Sequence, residues 1–158
     1  MINEFTSKKL GAVLAYSLMS NETFDRGRDA LETVLGAEKV LGIAEKSSLH
    51  TETIRQIGEE YSIETVMDLG TDETASLLHE IRDKYLKDEW DDSSTLLEWI
   101  GFLAGGSIAH WASIQGVGDI LSNETLIELA KDADTHYREL LDTVKEELES
   151  VGQSRGVE

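Results

Sequence analysis

The chain has no cysteine and no proline among its 158 residues. Without cysteine there are no disulfides, no thiolate metal ligands and no thiol nucleophile. Without proline, loop-rich and β-sandwich architectures are disfavoured, and helices joined by short turns fit better. Basic residues are scarce: 14 Lys and Arg stand against 32 Asp and Glu, for a formal net charge of −18. Binding to a phosphate backbone needs a basic face, and no basic stretch of any length exists here, which argues against nucleic acid as a partner. An anionic membrane surface is disfavoured for the same reason. Nothing alternates with period two for long enough to be a strand. Met1 to Thr6 lacks the basic and apolar regions of a secretory signal, so the expectation is a soluble, cytoplasmic protein.

One run carries no charge at all. Trp99 to Gly118 (WIGFLAGGSIAHWASIQGVG) holds five glycines, two tryptophans and His110. Its length matches a membrane span, but His110, Gln115, two serines and the acidic flanks Glu98 and Asp119 read as a core helix instead. The expectation is a helix buried on all sides, against which the others pack. Each glycine in it costs roughly 1 kcal/mol relative to alanine, which close approach by a neighbour would offset. Gly36 and Gly42 mark the 22–46 helix as that neighbour.

Helix starts are well marked. Ser20-Asn21-Glu22-Thr23 and Ser122-Asn123-Glu124-Thr125 both read as N-caps, as do Thr71-Asp72-Glu73 and Asp92-Ser93-Ser94. The repeated SNET is taken as a good capping sequence rather than as a trace of duplication. Helices are expected over 7–19, 22–46, 49–61, 72–90, 93–121 and 123–150, with the second and third able to run on as one. Residues 62–70 read as a short helical turn ended by Gly70. Apolar stripes are Leu126, Leu129, Ala130, Ala133, Tyr137, Leu140, Val144 and Leu148 in the last helix, and Leu77, Leu78, Ile81 and Tyr85 in the 72–90 helix. The fold class is therefore all-α: an up-and-down helical bundle of four long core helices plus a short N-terminal one. A single domain is expected over 1–151, with 152–158 as a flexible tail.

The acidic excess repels itself in dilute buffer. In molar salt the Debye length falls to about 3 Å and the repulsion is screened. The composition thus suits a protein adapted to concentrated salt, one that unfolds when the salt is removed.

Four histidines are the best chemical lead. His50, His110 and His136 sit on or beside apolar stripes of different helices. Neutral imidazoles pointing into one core could converge on a divalent transition metal, with Asp132, Asp134, Glu45 and Glu98 as added oxygen ligands. The alternative for each is a satisfied core histidine. His79 flanks its stripe and belongs at the surface. Arg82, beside Glu89 and Glu98, could form an internal ion-pair network or an anion pocket. Tyr85, Glu98, Trp99 and Trp111 place polar groups beside aromatics, as ligand pockets do. No phosphate-cradling loop, dinucleotide fingerprint, HExxH string or nucleophile elbow is present, so no catalytic residue is assigned.

The long helices and their inward His and acidic residues resemble a ferritin-like bundle. The segment His50-Thr51-Glu52-Thr53-Ile54-Arg55-Gln56-Ile57 is similar to the second helix of small stress-associated members of that family. The resemblance implies metal binding with redox or storage activity, but the family's Glu-x-x-His pairs occur nowhere; Glu45 with His50 and Asp132 with His136 have the wrong spacing. The chain as a whole, with its DEWDD, LLEW and HW strings, also resembles short acidic helical proteins of halophilic archaea. Two functions follow as expectations. One is a non-catalytic role in binding a small ligand, a protein partner or a second copy of the chain. The other is a ferritin-like metal protein using His50, His110, His136 and Asp132.

Overall fold

A computed structural model describes residues 1–157, which form six α-helices and no strand. These are α1 (Glu4–Arg26), α2 (Arg28–Leu35), α3 (Ala37–Glu60), α4 (Glu64–Leu86), α5 (Ser93–Leu121) and α6 (Glu124–Arg155). None of them is long and apolar enough to cross a membrane. The short element is the eight-residue α2, not the first helix, which is 23 residues long. With α3, α4, α5 and α6 that makes five long helices among the described residues, one more than expected.

The extra length of α1 comes from how its SNET tetrapeptide is used. Asn21 does not cap a new helix; its side-chain amide donates to Thr51 Oγ1 at 3.3 Å. Thr23 Oγ1 bonds back to the Met19 carbonyl at 2.8 Å, and Ser20, Thr23 and Phe24 are buried. Burial of that face carries the helix through to Gly27. The second copy of the tetrapeptide does cap: Asn123 Oδ1 accepts from the Leu126 amide at 3.1 Å and starts α6. Asp92 caps α5 in the same way, accepting from the Ser94 amide at 3.0 Å.

Other boundaries move for physical reasons too. Gly36, at φ +86°, breaks the expected 22–46 helix, because only glycine adopts that backbone freely. The 49–61 segment joins 37–46 into the single helix α3. Gly70, expected to end a turn, lies inside α4, which begins at Glu64. The Thr71 hydroxyl, read as a cap, bonds instead to the carbonyls of Met67 and of Gly11 on α1, at 3.0 and 3.1 Å. At the other end α6 runs to Arg155, through the first residues of the segment expected to fray.

The tight helix crossing is also not where the glycines of α5 suggested. Gly36 and Gly42 meet nothing. The close pair is Gly11 on α1 and Gly70 on α4: a Cβ on Gly70 would stand 2.8 Å from Lys8 Cα, and one on Gly11 would stand 2.7 Å from the Thr71 amide nitrogen. Packing is most extensive between α1 and α4 and between α5 and α6, and α1 also packs on α2, α3 and α5. The central helix is therefore α1. It escapes notice in the sequence because much of what it buries is small or polar, including Thr6, Ser7, Gly11, Ala12, Ala15, Ser17 and Ser20.

The neutral helix α5 is buried on one side only. Leu96, Leu97, Trp99, Ile100, Leu103, Ala104, Ser107, Trp111 and Ile114 face inward. Phe102, Gly105, Ala109, Ala112 and Gly116 face out. The α6 stripe is buried from Leu126 to Val144, as its periodicity requires. In α4 the buried face is Met67, Gly70, Leu78 and Leu86, while Leu77 and Tyr85 of the expected stripe are exposed.

Candidate functional site: a buried histidine pair

Two i, i+4 pairs face each other across α3 and α6. On α3 these are Lys46 and His50; on α6 they are Asp132 and His136. Lys46 Nζ donates to Asp132 Oδ1 at 2.8 Å, and His50 Nε2 lies 2.8 Å from Asp132 Oδ2. The His50 and His136 rings meet edge to face with centroids 5.4 Å apart. Trp111 of α5 and Tyr137 of α6 complete the enclosure, each 6.3 Å from the His50 ring centroid. Both histidines are buried, at 1% and 8% exposure, while the Asp132 side chain is 45% exposed. The carboxylate thus reaches from the surface into the protein and orients an imidazole inside it.

Burial decides the protonation states. It lowers the His50 pKa, and the hydrogen bond and charge of Asp132 only partly oppose this. His136 falls to about 4, chiefly from burial and then from repulsion by His50 and Lys46. Burial pushes the Asp132 carboxyl up, but its hydrogen bonds from Lys46 and His50 outweigh that and hold it below its usual value. At neutral pH the set is a Lys46–Asp132 ion pair with two neutral imidazoles. His50 then carries its proton on Nε2, toward Asp132, and presents Nδ1 as a free lone pair.

A second polar layer lies deeper. The Tyr137 hydroxyl sits among those of Ser17, Ser47 and Ser107, and burial raises its pKa more than they lower it. It makes no well-formed hydrogen bond with them. Among the described residues, the buried side-chain polar atoms without a partner are Ser17 Oγ, Asn21 Oδ1, His50 Nδ1, Ser107 Oγ, Trp111 Nε1, His136 Nε2 and Tyr137 OH. The rings of His136, Trp111 and Tyr137 all neighbour that of His50, the serines surround Tyr137, and Asn21 connects through Thr51 and Ser47. Buried polar groups are nearly always paired, and each one left alone costs on the order of 1–3 kcal/mol. Their concentration in one place marks the site.

A groove of about 390 Å³ opens onto it between α3 and α6, lined by Lys39, Gly42, Ile43, Lys46, His136 and Leu140, among others. The α3 wall supplies Lys39, Ile43 and Lys46 and the α6 wall His136, Glu139, Leu140 and Thr143, so polar and apolar groups alternate along both.

His110 is not part of this cluster. Its ring lies 5.1 Å from that of Tyr16 on α1, and burial and Lys9 lower its pKa. Asp134 pairs with Arg138 at 2.8 Å, and Glu45 is exposed. Among the described residues no three His, Cys, Asp or Glu are grouped so as to hold a metal ion.

The other ligand candidates are dispersed. Arg82 turns away from Glu89 and Glu98 and bonds Glu22 at 2.8 Å and Asp83 at 2.9 Å. It does so because Glu22 lies on α1, against which α4 packs. Glu98 instead accepts from the exposed Tyr85 hydroxyl at 2.9 Å. Trp99 is a satisfied core residue, its indole N–H donating to Thr23 Oγ1 at 3.1 Å. Only Trp111 borders the histidine cluster. Sequence reasoning missed Lys46, Ser17, Ser47 and Ser107. Lys46 was detectable, since it shares a helix face with His50 at i−4.

The chain matches no protein-family model, no curated protein and no solved structure. Neither the ferritin-like resemblance nor a halophilic origin gains support from relatives.

Proposed function

We propose that this all-helical protein, with its helices read as a bundle, is a non-catalytic binding protein for a small amphipathic molecule held in the α3–α6 groove. The observation that carries this reading is the set of unpartnered buried polar atoms behind His136, at the wall of an open groove. An apolar core would be cheaper at that position, and a bound molecule that pairs with these groups would offset the cost of leaving them unsatisfied. A ligand with a polar head near His136 and Lys46, and an aliphatic body along Ile43 and Leu140, matches this lining. The ferritin-like metal reading has no comparable observation behind it.

Calorimetric titration of the protein in molar KCl with hexanoate and with hexanamide tests this. Saturable binding of either probe, weakened at least tenfold by His136→Leu with the helical circular dichroism unchanged, is the expected result. Flat titrations with both probes sink the proposal.

The surface suits concentrated salt. Most ion pairs are local and exposed, such as Lys8–Glu4 and Lys84–Glu80, and such pairs contribute little. The 32 acidic residues outnumber the basic ones too far to be neutralised within the chain. We expect the thermal midpoint to climb steadily as KCl rises from 0.1 M to about 1 M, where the Debye length shrinks from about 10 to 3 Å. A midpoint independent of salt across that range would remove the case for salt adaptation.

A further inference from the structure

The outward face of α5 has no partner in this chain. Phe102, Gly105, Ala109, Ala112 and Gly116 are exposed there, and Ile120, 82% exposed, extends the row. Up to Gly116 the spacing alternates between three and four residues, the interval that keeps a stripe facing a second helix along a left-handed crossing. Gly105 and Gly116 have open space where a side chain would stand. Gly101, Gly106 and Gly118 of the same helix meet Val144, Tyr16 and Ile127. Packing within the chain accounts for those three glycines and leaves the outward two unexplained, at about 1 kcal/mol each relative to alanine.

The row also reads almost the same from either end: bulky, glycine, alanine, alanine, glycine, bulky. A two-fold contact between identical helices needs that property, because residue i must fit j while j fits i. With the helices antiparallel, Ala109 lies opposite Ala112 of the second copy, Gly105 opposite its Gly116, and Phe102 near its Ile120. The electrostatics agree. Each copy carries −18, yet nothing between Glu98 and Asp119 is charged, so the middle of the contact is free of like charges and only its ends bring Glu98 near the second copy's Asp119. Beside the row, a groove of about 480 Å³ between α5 and α6 runs along Ala112, Gln115 and Ala130, with Lys131 and Asp134 of α6 bordering it. Trp111 lines it, 1% exposed and with its indole nitrogen unpartnered.

We propose that the chain associates as a two-fold, antiparallel homodimer through this face of α5. The seam from Phe102 to Ile120 spans roughly 27 Å at 1.5 Å per residue. A contact confined to one helix of each copy is small beside obligate interfaces, which bury roughly 2,000 Å² or more, so monomer and dimer exchange with concentration, and salt favours the dimer by screening the repulsion between copies.

Sedimentation equilibrium in molar KCl should show the mass rising with concentration from 17.5 kDa toward twice that value. Ala109→Glu, on an exposed position, should hold the chain monomeric with its circular dichroism unchanged. A wild-type chain that stays monomeric to millimolar concentration overturns the proposal, as does an Ala109→Glu variant that dimerises normally. Orientation is tested by disulfide trapping, which is clean because the chain has no native cysteine. Gly105→Cys and Gly116→Cys should cross-link when mixed, and neither should when alone. Cross-linking of each variant with itself, and none on mixing, refutes the antiparallel pairing.

Discussion

Replacing Gly70 by alanine should destabilise the protein by about 3 kcal/mol, near the upper end of what overpacking a close contact costs. The same is expected of Gly11→Ala. In each case the new methyl group meets backbone atoms of the opposing helix, not the flexible end of a side chain: Lys8 Cα at 2.8 Å for Gly70, the Thr71 nitrogen at 2.7 Å for Gly11. Backbone inside a helix cannot give locally, so α1 and α4 must move apart along their contact. That separation strains the hydrogen bond from Thr71 to the Gly11 carbonyl and loosens the helix on which most others pack. For a chain of this size the loss corresponds to a thermal midpoint lower by roughly 6–12 °C. Gly42→Ala is the matched control. No atom lies near its Cβ position, and it should be neutral or add up to about 1 kcal/mol through helix propensity. Denaturant unfolding at fixed salt measures all three. Equal stabilities for Gly70→Ala and Gly42→Ala would mean that the α1–α4 crossing is looser than described.

Acidification should act on the histidine pair with similar force. His136 titrates at about 4 in the folded protein, against a usual value near 6.5. Between those pH values the unfolded chain binds a proton that the folded one refuses, so stability falls as pH falls. At pH 4 the loss from His136 is about 3 kcal/mol, at 1.36 kcal/mol per decade of shift. Its contribution is fully present near pH 7 and above. His50 and His110, also lowered by burial, act with the same sign. Asp132 adds a loss in the same direction at lower pH, as protonation removes its bonds to Lys46 and His50. Urea midpoints measured from pH 7 to 4 in molar KCl isolate these effects, because the salt mutes relief of the acidic self-repulsion. The slope should be visibly shallower in His136→Gln. An identical slope in that variant would show that His136 is not held neutral by its surroundings.

Much of the helical content was legible in the residues. The α6 stripe, the caps at Asp92 and Asn123, and the absence of strands follow from periodicity and side-chain chemistry that act within a few residues. The site was half legible: His50 and His136 read as inward-facing and able to converge, with Asp132 as an added oxygen ligand, but Lys46 and the serines around Tyr137 did not stand out. His110 looked equivalent and is not, since its helix turns it toward Tyr16.

What no local pattern contained is which helix is central and where two backbones touch. The two SNET tetrapeptides make the point most directly. Their capping chemistry is the same, yet Asn123 starts a helix while Asn21 sits inside one, because Ser20, Thr23 and Phe24 are buried and hold α1 together. Likewise the charge-free stretch of α5 announced apolar surroundings, but only packing reveals that one of its faces is left open and that α1, with its hydroxyls and glycine, takes the middle. Composition and periodicity specify which side chains avoid water; the partner each one finds depends on contacts between residues far apart in the chain, and these exist only once the helices have assembled.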